Sequence, residues 1–119
     1  MNRKLVLQLL TLTTILLFVS TSIPLTVQSV PPIPQKTWIV DITGNGDFTN
    51  IQEAINNSKG GDTIIIKKGV YYENNINVNK MITISGQSTT DTIINCSGKQ
   101  GLILNSPSSE IKSFKIYAW

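Results

Sequence analysis

The stretch that decides the fold is Trp38–Asn79, WIVDITGNGDFTNIQEAINNSKGGDTIIIKKGVYYENNINVN. A short apolar run, Trp38-Ile39-Val40, reads as a strand and leads into a turn at Gly44-Asn45-Gly46-Asp47, where Gly44, Asn45 and Gly46 can each take positive φ. A helix is expected over about 50–57. Thr49 and Gln52 have the spacing of a capping box, and Ile51, Ala54 and Ile55 form one apolar stripe. Two turns of helix are marginal alone, so this one must dock on something. Gly60-Gly61-Asp62 breaks it. Thr63-Ile64-Ile65-Ile66 then starts a strand of β-branched residues, and Val70-Tyr71-Tyr72 resumes after Lys67-Lys68-Gly69. Together these read as the cap and first rung of a right-handed parallel β-helix, with the helix plugging its open end.

From Thr63 onward, short β-branched runs alternate with Gly, Asn and Ser bends. Ile64 and Ile66 pair with Ile82 and Ile84, then with Leu102 and Leu104; a second series runs Ile76 and Val78, Ile94, Phe114. A recurrence near 20 residues is the mark of a solenoid, in which each rung buries its apolar face only by stacking on the next. Asn74, Asn75, Asn77, Asn79, Asn95 and Asn105 cluster near bends, where Asn tolerates left-handed backbone and can hydrogen-bond along a stack. A β-sandwich would favour Asn-Gly hairpins; the one Asn-Gly, Asn45-Gly46, precedes a helix instead. The expected architecture is all-β, a cap helix with two to three rungs over 37–119.

Around that core the chain reads as an exported protein. Asn2-Arg3-Lys4 is a positive n-region, Leu5–Val19 is largely apolar, and small residues near Ser22 and Ser29 suit cleavage, so 1–29 reads as a secretory signal peptide. The apolar run is shorter than a bilayer span needs; an uncleaved anchor is the alternative. Residues 30–36, VPPIPQK, form a Pro-rich linker, extended and non-helical. The expected location is extracellular or at the cell surface. The segment Ser113–Trp119 is strand-like with no cap after it, which leads us to expect a truncated frame or a fragment of a longer protein.

Composition narrows function. The formal net charge is +3, and without Arg3 and Lys4 the balance is near neutral. The lysines are dispersed, as on a solvated surface rather than a nucleic-acid face. With no His, the common zinc and His-based acid–base sites are excluded. Cys96 is the only cysteine, so there is no intrachain disulfide, and it reads as a small core or rung-edge residue. Asp41 and Asp47 bracket the Gly turn, and turn or cap roles account for both; calcium would want a third carboxylate. Asp91 and Glu110 could face each other on stacked rungs, but two solvated acids near turns is the simpler account. Tyr71, Tyr72, Phe114, Tyr117 and Trp119 could stack on sugar rings or pack in the core. Asn56-Asn57-Ser58 and Asn95-Cys96-Ser97 are glycosylation sequons. No catalytic, cofactor-binding or metal-binding residues are assigned, and no cofactor is expected.

Asp41–Ile55, DITGNGDFTNIQEAI, resembles the N-terminal start of pectin-methylesterase-like and other pectin-lyase-fold proteins, with a pattern of the type D-G-x-G-D-F-T-x-I-Q-x-A-I. Gly61–Ile66 and Gly69–Asn74 resemble the first rung of that family, and Ile82–Gly86 with Thr92–Ile94 the next. Non-enzymatic cell-surface β-helix repeat proteins and periplasmic β-helix proteins linked to copper-site assembly share this opening. The resemblance covers roughly 38–119 and implies the fold. The esterases' catalytic Asp pair, Gln residues and Arg belong to later rungs, and no Arg occurs after Arg3, so none of these roles carries over. The expected function is a structural or carbohydrate-binding β-helix module facing a cell-surface polysaccharide, with further rungs or self-association at the open C-terminal end. The alternatives are the N-terminal part of an esterase or lyase and a periplasmic metal-delivery β-helix; the lack of His and the single Cys weigh against the last.

Overall fold

A computed structural model describes residues 24–118. Residues 1–23, which carry most of the expected signal peptide, and Trp119 lie outside the described residues. The chain divides into two units after Pro32. Residues 24–32 have no helix or strand and are exposed. The unit from Ile33 onward carries all the regular structure described below.

Its nine strands are β1 (Thr37–Val40), β2 (Thr63–Ile66), β3 (Gly69–Tyr71), β4 (Ile76–Val78), β5 (Thr83–Gly86), β6 (Thr92–Asn95), β7 (Leu102–Leu104), β8 (Glu110–Lys112) and β9 (Lys115–Tyr117); helix α1 spans Ile51–Asn57. All strand pairs are parallel. They form three sheets, ordered β1-β2-β5-β8, β3-β6-β9 and β4-β7, which we call the first, second and third. The chain visits the sheets in turn, so β2-β3-β4 and β5-β6-β7 are two complete rungs and β8-β9 begin a third. This is the expected all-β parallel β-helix, of about three turns.

Alternation within each strand builds the core. Thr63-Ile64-Ile65-Ile66 buries its second and fourth side chains, and Ile64 stacks on Ile84 and then Ile111 in one inward column. Tyr71, Ile94 and Ile116 form the column of the second sheet, and Ile76 with Leu102 and Val78 with Leu104 those of the third. Each fully buried Ile contributes roughly 2 kcal/mol of transfer free energy. Thr92 is also buried, its Oγ1 accepting from Ser88 N–H at 3.2 Å, and among the described residues no buried side-chain polar atom lacks a partner.

These columns correct the expected repeat. Ile82 does not stack on Ile64; Leu102 and Leu104 belong to the third sheet rather than the first; and Ile94 lies between Tyr71 and Ile116 rather than above Ile76. The cause is unequal bends. β2 and β3 are separated by Lys67 and Lys68 alone, whereas β5 and β6 are separated by Gln87–Asp91. The sequence distance between stacked residues therefore varies while the spatial step does not.

Helix α1 closes the N-terminal end, its Ile51, Ala54 and Ile55 buried on the core as the stripe predicts. The capping residue is Asn50, not Thr49: Asn50 Oδ1 accepts from Glu53 N–H at 2.7 Å. Glu73 accepts from the N–H groups of Ile51 (2.6 Å) and Gln52 (3.1 Å), and Lys80 Nζ donates to the carbonyls of Ile55, Asn56 and Ser58 at 2.8–2.9 Å. Both orphaned helix ends are thus satisfied from the first rung. Gln52, freed from the capping box, reaches β4. Its Oε1 accepts from Asn77 N–H at 2.7 Å and its Nε2 approaches Asn77 O at 3.4 Å, taking the place of a neighbouring strand.

The outer edge of β1 is covered too. Ile39 O accepts from the N–H groups of Asp47 and Phe48, and Asp47 Oδ2 accepts from Ile39 N–H at 2.8 Å. A Cβ at Gly46 would stand 2.6 Å from Ile39 O, so Gly46 is required by close approach; in this turn only Gly44 takes positive φ, at 86°.

Candidate functional site

Two surfaces of the Ile33–Trp119 unit present chemistry to solvent. The first is a cleft of about 640 Å³ lined by Pro34–Trp38, Asn57, Lys59 and Asp62. Trp38 packs against Phe48, and Lys36 Nζ lies 3.3 Å from the indole centroid, a cation–π contact. The Asp62 carboxylate is 4% exposed and accepts from Lys36 N–H (2.9 Å), Lys59 N–H (2.9 Å) and Trp38 Nε1–H (3.0 Å). Those bonds, led by the Lys36 and Lys59 amides, hold its carboxyl below the usual carboxylate range. Its oxygens are committed to tying the linker to the cap.

The second surface is the outer wall of the second sheet. In β6, Thr92 and Ile94 point inward and Ile93 and Asn95 outward; in β9, Ile116 occupies the inward column and Lys115 and Tyr117 stand outward. Register gives Val70–Ile93–Lys115 as one outward column. Asn95 pairs with Tyr117, while Tyr72 follows the last residue of β3 and lies outside the paired register. The second outward column is therefore Asn95–Tyr117, with Tyr72 just past the end of β3. Tyr72 is 72% exposed and Tyr117 half-buried. Asn95 Oδ1 accepts from Ser97 N–H at 3.0 Å, which orients the amide at the strand end. Lys68 and Asp91 flank the wall at 3.5 Å, both more than half exposed. Asp91 is lowered from the usual carboxylate range by hydrogen bonds led by Ser88.

The other residues singled out from sequence fall elsewhere. Tyr71 is fully buried, its hydroxyl within reach of the carbonyls of Lys67 (3.0 Å) and Val40 (3.2 Å), and burial raises its pKa. Phe114 packs partly against the core. Cys96 is buried, as expected of a core residue, and desolvation raises its thiol pKa. Asp41 accepts from the N–H and Oγ1–H of Thr43 at 2.9 and 2.6 Å, which lowers its pKa, while Asp47 covers β1; both are turn and edge residues. Asp91 and Glu110 do not meet, because Glu110 stacks on Thr83 in the first sheet and Asp91 precedes β6 in the second. Glu110 pairs instead with Lys112 at 2.9 Å. Among the described residues no group of three or more Cys, Asp and Glu could hold a metal ion.

The Asn95–Tyr117 pair is the feature that reading by period missed. Its members are spaced irregularly in sequence, and only the alternation within TIIN and KIY hints that Asn95 and Tyr117 share a face. Among the described residues no helix is long and apolar enough to cross a membrane. Comparison with protein-family models, with curated proteins and with solved structures found no match.

Proposed function

We propose that this chain is an exported β-helix module that binds a cell-surface polysaccharide on the outer wall of its second sheet. The observation that carries the reading is the outward pair Asn95–Tyr117 on the second sheet, with the exposed Tyr72 just past the end of β3. Aromatic faces stack on the C–H faces of sugars, and amides hydrogen-bond their hydroxyls. The sequence of 1–29 supports export. The arrangement supports binding rather than turnover, since a glycosidase or esterase would need convergent carboxylates and Asp91 and Glu110 lie on different sheets.

The test is to express the complete chain with its own N-terminus in a secreting host, then incubate the exported product with insoluble cellulose, chitin and pectate. Export, retention on at least one polysaccharide and loss of retention in Tyr72→Ala are expected. Retention in the cytoplasm, or an exported product that none of the three holds back, overturns the proposal.

A further inference from the structure

We infer that Asn45 is a self-modification site, where the chain converts its own amide to aspartate and isoaspartate without an enzyme, and that the isoaspartate form loosens the cover of β1. Asn45-Gly46 is the one Asn-Gly pair in the sequence, and Asn is among the chemically labile residue types. Asn45 is exposed, and its Nδ2 donates to the neighbouring Thr43 Oγ1 at 3.0 Å. The Gly46 N–H has no acceptor among the described residues, and no Cβ shields its nitrogen. That nitrogen attacks Cγ of Asn45. A C–N bond forms, the Cγ–Nδ2 bond breaks, and ammonia leaves with the proton that Gly46 gives up. Water then opens the succinimide ring at either carbonyl, which yields aspartate or isoaspartate.

Other asparagines lack this combination. Asn57 precedes Ser58, whose N–H is held by the carbonyls of Ala54 and Ile55, and its own Nδ2 donates to Glu53 O at 2.9 Å. Asn105 precedes Ser106, whose side chain crowds the nitrogen, and its Nδ2 donates to Asn77 Oδ1 at 2.8 Å. The fold itself keeps the labile pair, because a Cβ at Gly46 would stand 2.6 Å from Ile39 O. The same close approach carries the consequence. Isoaspartate adds a methylene to the backbone directly before Gly46. The next two residues, Asp47 and Phe48, give their N–H groups to Ile39 O, and Asp47 Oδ2 accepts from Ile39 N–H at 2.8 Å. A longer backbone at this point shifts all three bonds away from the edge of β1.

The inference is tested by ageing the exported full chain in neutral buffer at body temperature and sampling it over several weeks. Peptide mass spectrometry follows the amide-to-acid change at each asparagine, and an isoaspartyl methyltransferase labels the isoaspartate. Asn45 should convert about tenfold faster than Asn57 and Asn105, since glycine alone leaves the attacking nitrogen unshielded. The isoaspartate fraction, separated by ion exchange, should melt about 4–8 °C below the fresh chain, as expected when the bonds along β1 weaken. Asn45→Asp, which brings the charge without the extra methylene, should melt close to the parent, and Asn45→Gln should keep its melting temperature through ageing. If Asn45 stays intact or converts no faster than Asn105, the site is wrong. If it converts and the isoaspartate fraction melts with the parent, the link to the β1 cover is wrong.

Discussion

The two ends of the solenoid solve the same problem differently. At the N-terminal end the first sheet, the third sheet and the apolar interior each meet a cover. Asp47 and Phe48 lie along β1, the Gln52 amide along β4, and α1 over the apolar interior. At the other end, among the described residues, no strand lies against the outer edges of β7, β8 and β9. Burial follows. Ile94 is fully buried, whereas Ile116, next in the same column, is 43% exposed; Val78 is fully buried, whereas Leu104 above it is 56% exposed. The residue types differ little between the ends. The cover decides whether a rung is core or surface, because an inward side chain leaves water only when something stacks on both sides of it.

The sharpest way to break the comparison is a matched pair in one column. Ile94→Ala should cost about 2–5 kcal/mol and Ile116→Ala under about 1 kcal/mol in urea denaturation, because the second removes atoms that water already reaches. Equal losses would show that the last rung is as well packed as the first two.

The next effect belongs to the closed end. Asp62→Asn should cost roughly 2–3 kcal/mol, since it disturbs two backbone donors and the Trp38 indole, only part of which an amide oxygen can serve. The folded-state pKa of Asp62 lies below its unfolded value, so its contribution is present above the unfolded pKa and is lost as pH falls through the folded one. Acid melts of the parent should therefore lose stability below about pH 4, and those of Asp62→Asn should lose less there. A parent and variant with parallel acid limbs would remove Asp62 from the closure. Smallest is the contrast between two amides. Gln52→Ala should cost about 1 kcal/mol, because Asn77 N–H loses its partner, whereas Asn105→Ala, which removes an exposed bond of 2.8 Å to Asn77 Oδ1, should be nearly neutral.

What the sequence makes legible is local. The α1 stripe, the strand at Thr63–Ile66 and the buried Cys96 are each set by a few adjacent residues, and each stands where the sequence predicts. Stacking is a property of bends. The span from Ile64 to Ile84 crosses a different set of turns from that between Ile84 and Ile111, so a single period mis-assigns Leu102 and Ile82. Left-handed backbone falls at Asn75, as Asn-rich bends suggest, but also at Ser97 and Ser113, where composition gives no sign of it. The candidate wall inherits this difficulty, because Tyr117 becomes a neighbour of Asn95 only once the register is known. The N-cap differs by one residue because Thr49 and Asn50 are both able caps, and the choice goes to the residue directly before Ile51.

Gln52 gives the molecule a polarity. Its amide accepts from one strand's N–H and faces the same residue's carbonyl, as a peptide unit would, so an arriving strand finds that end of the third sheet already filled. A side chain of the cap thus stands in for a strand, and the ladder of the third sheet starts at α1 without a preceding rung.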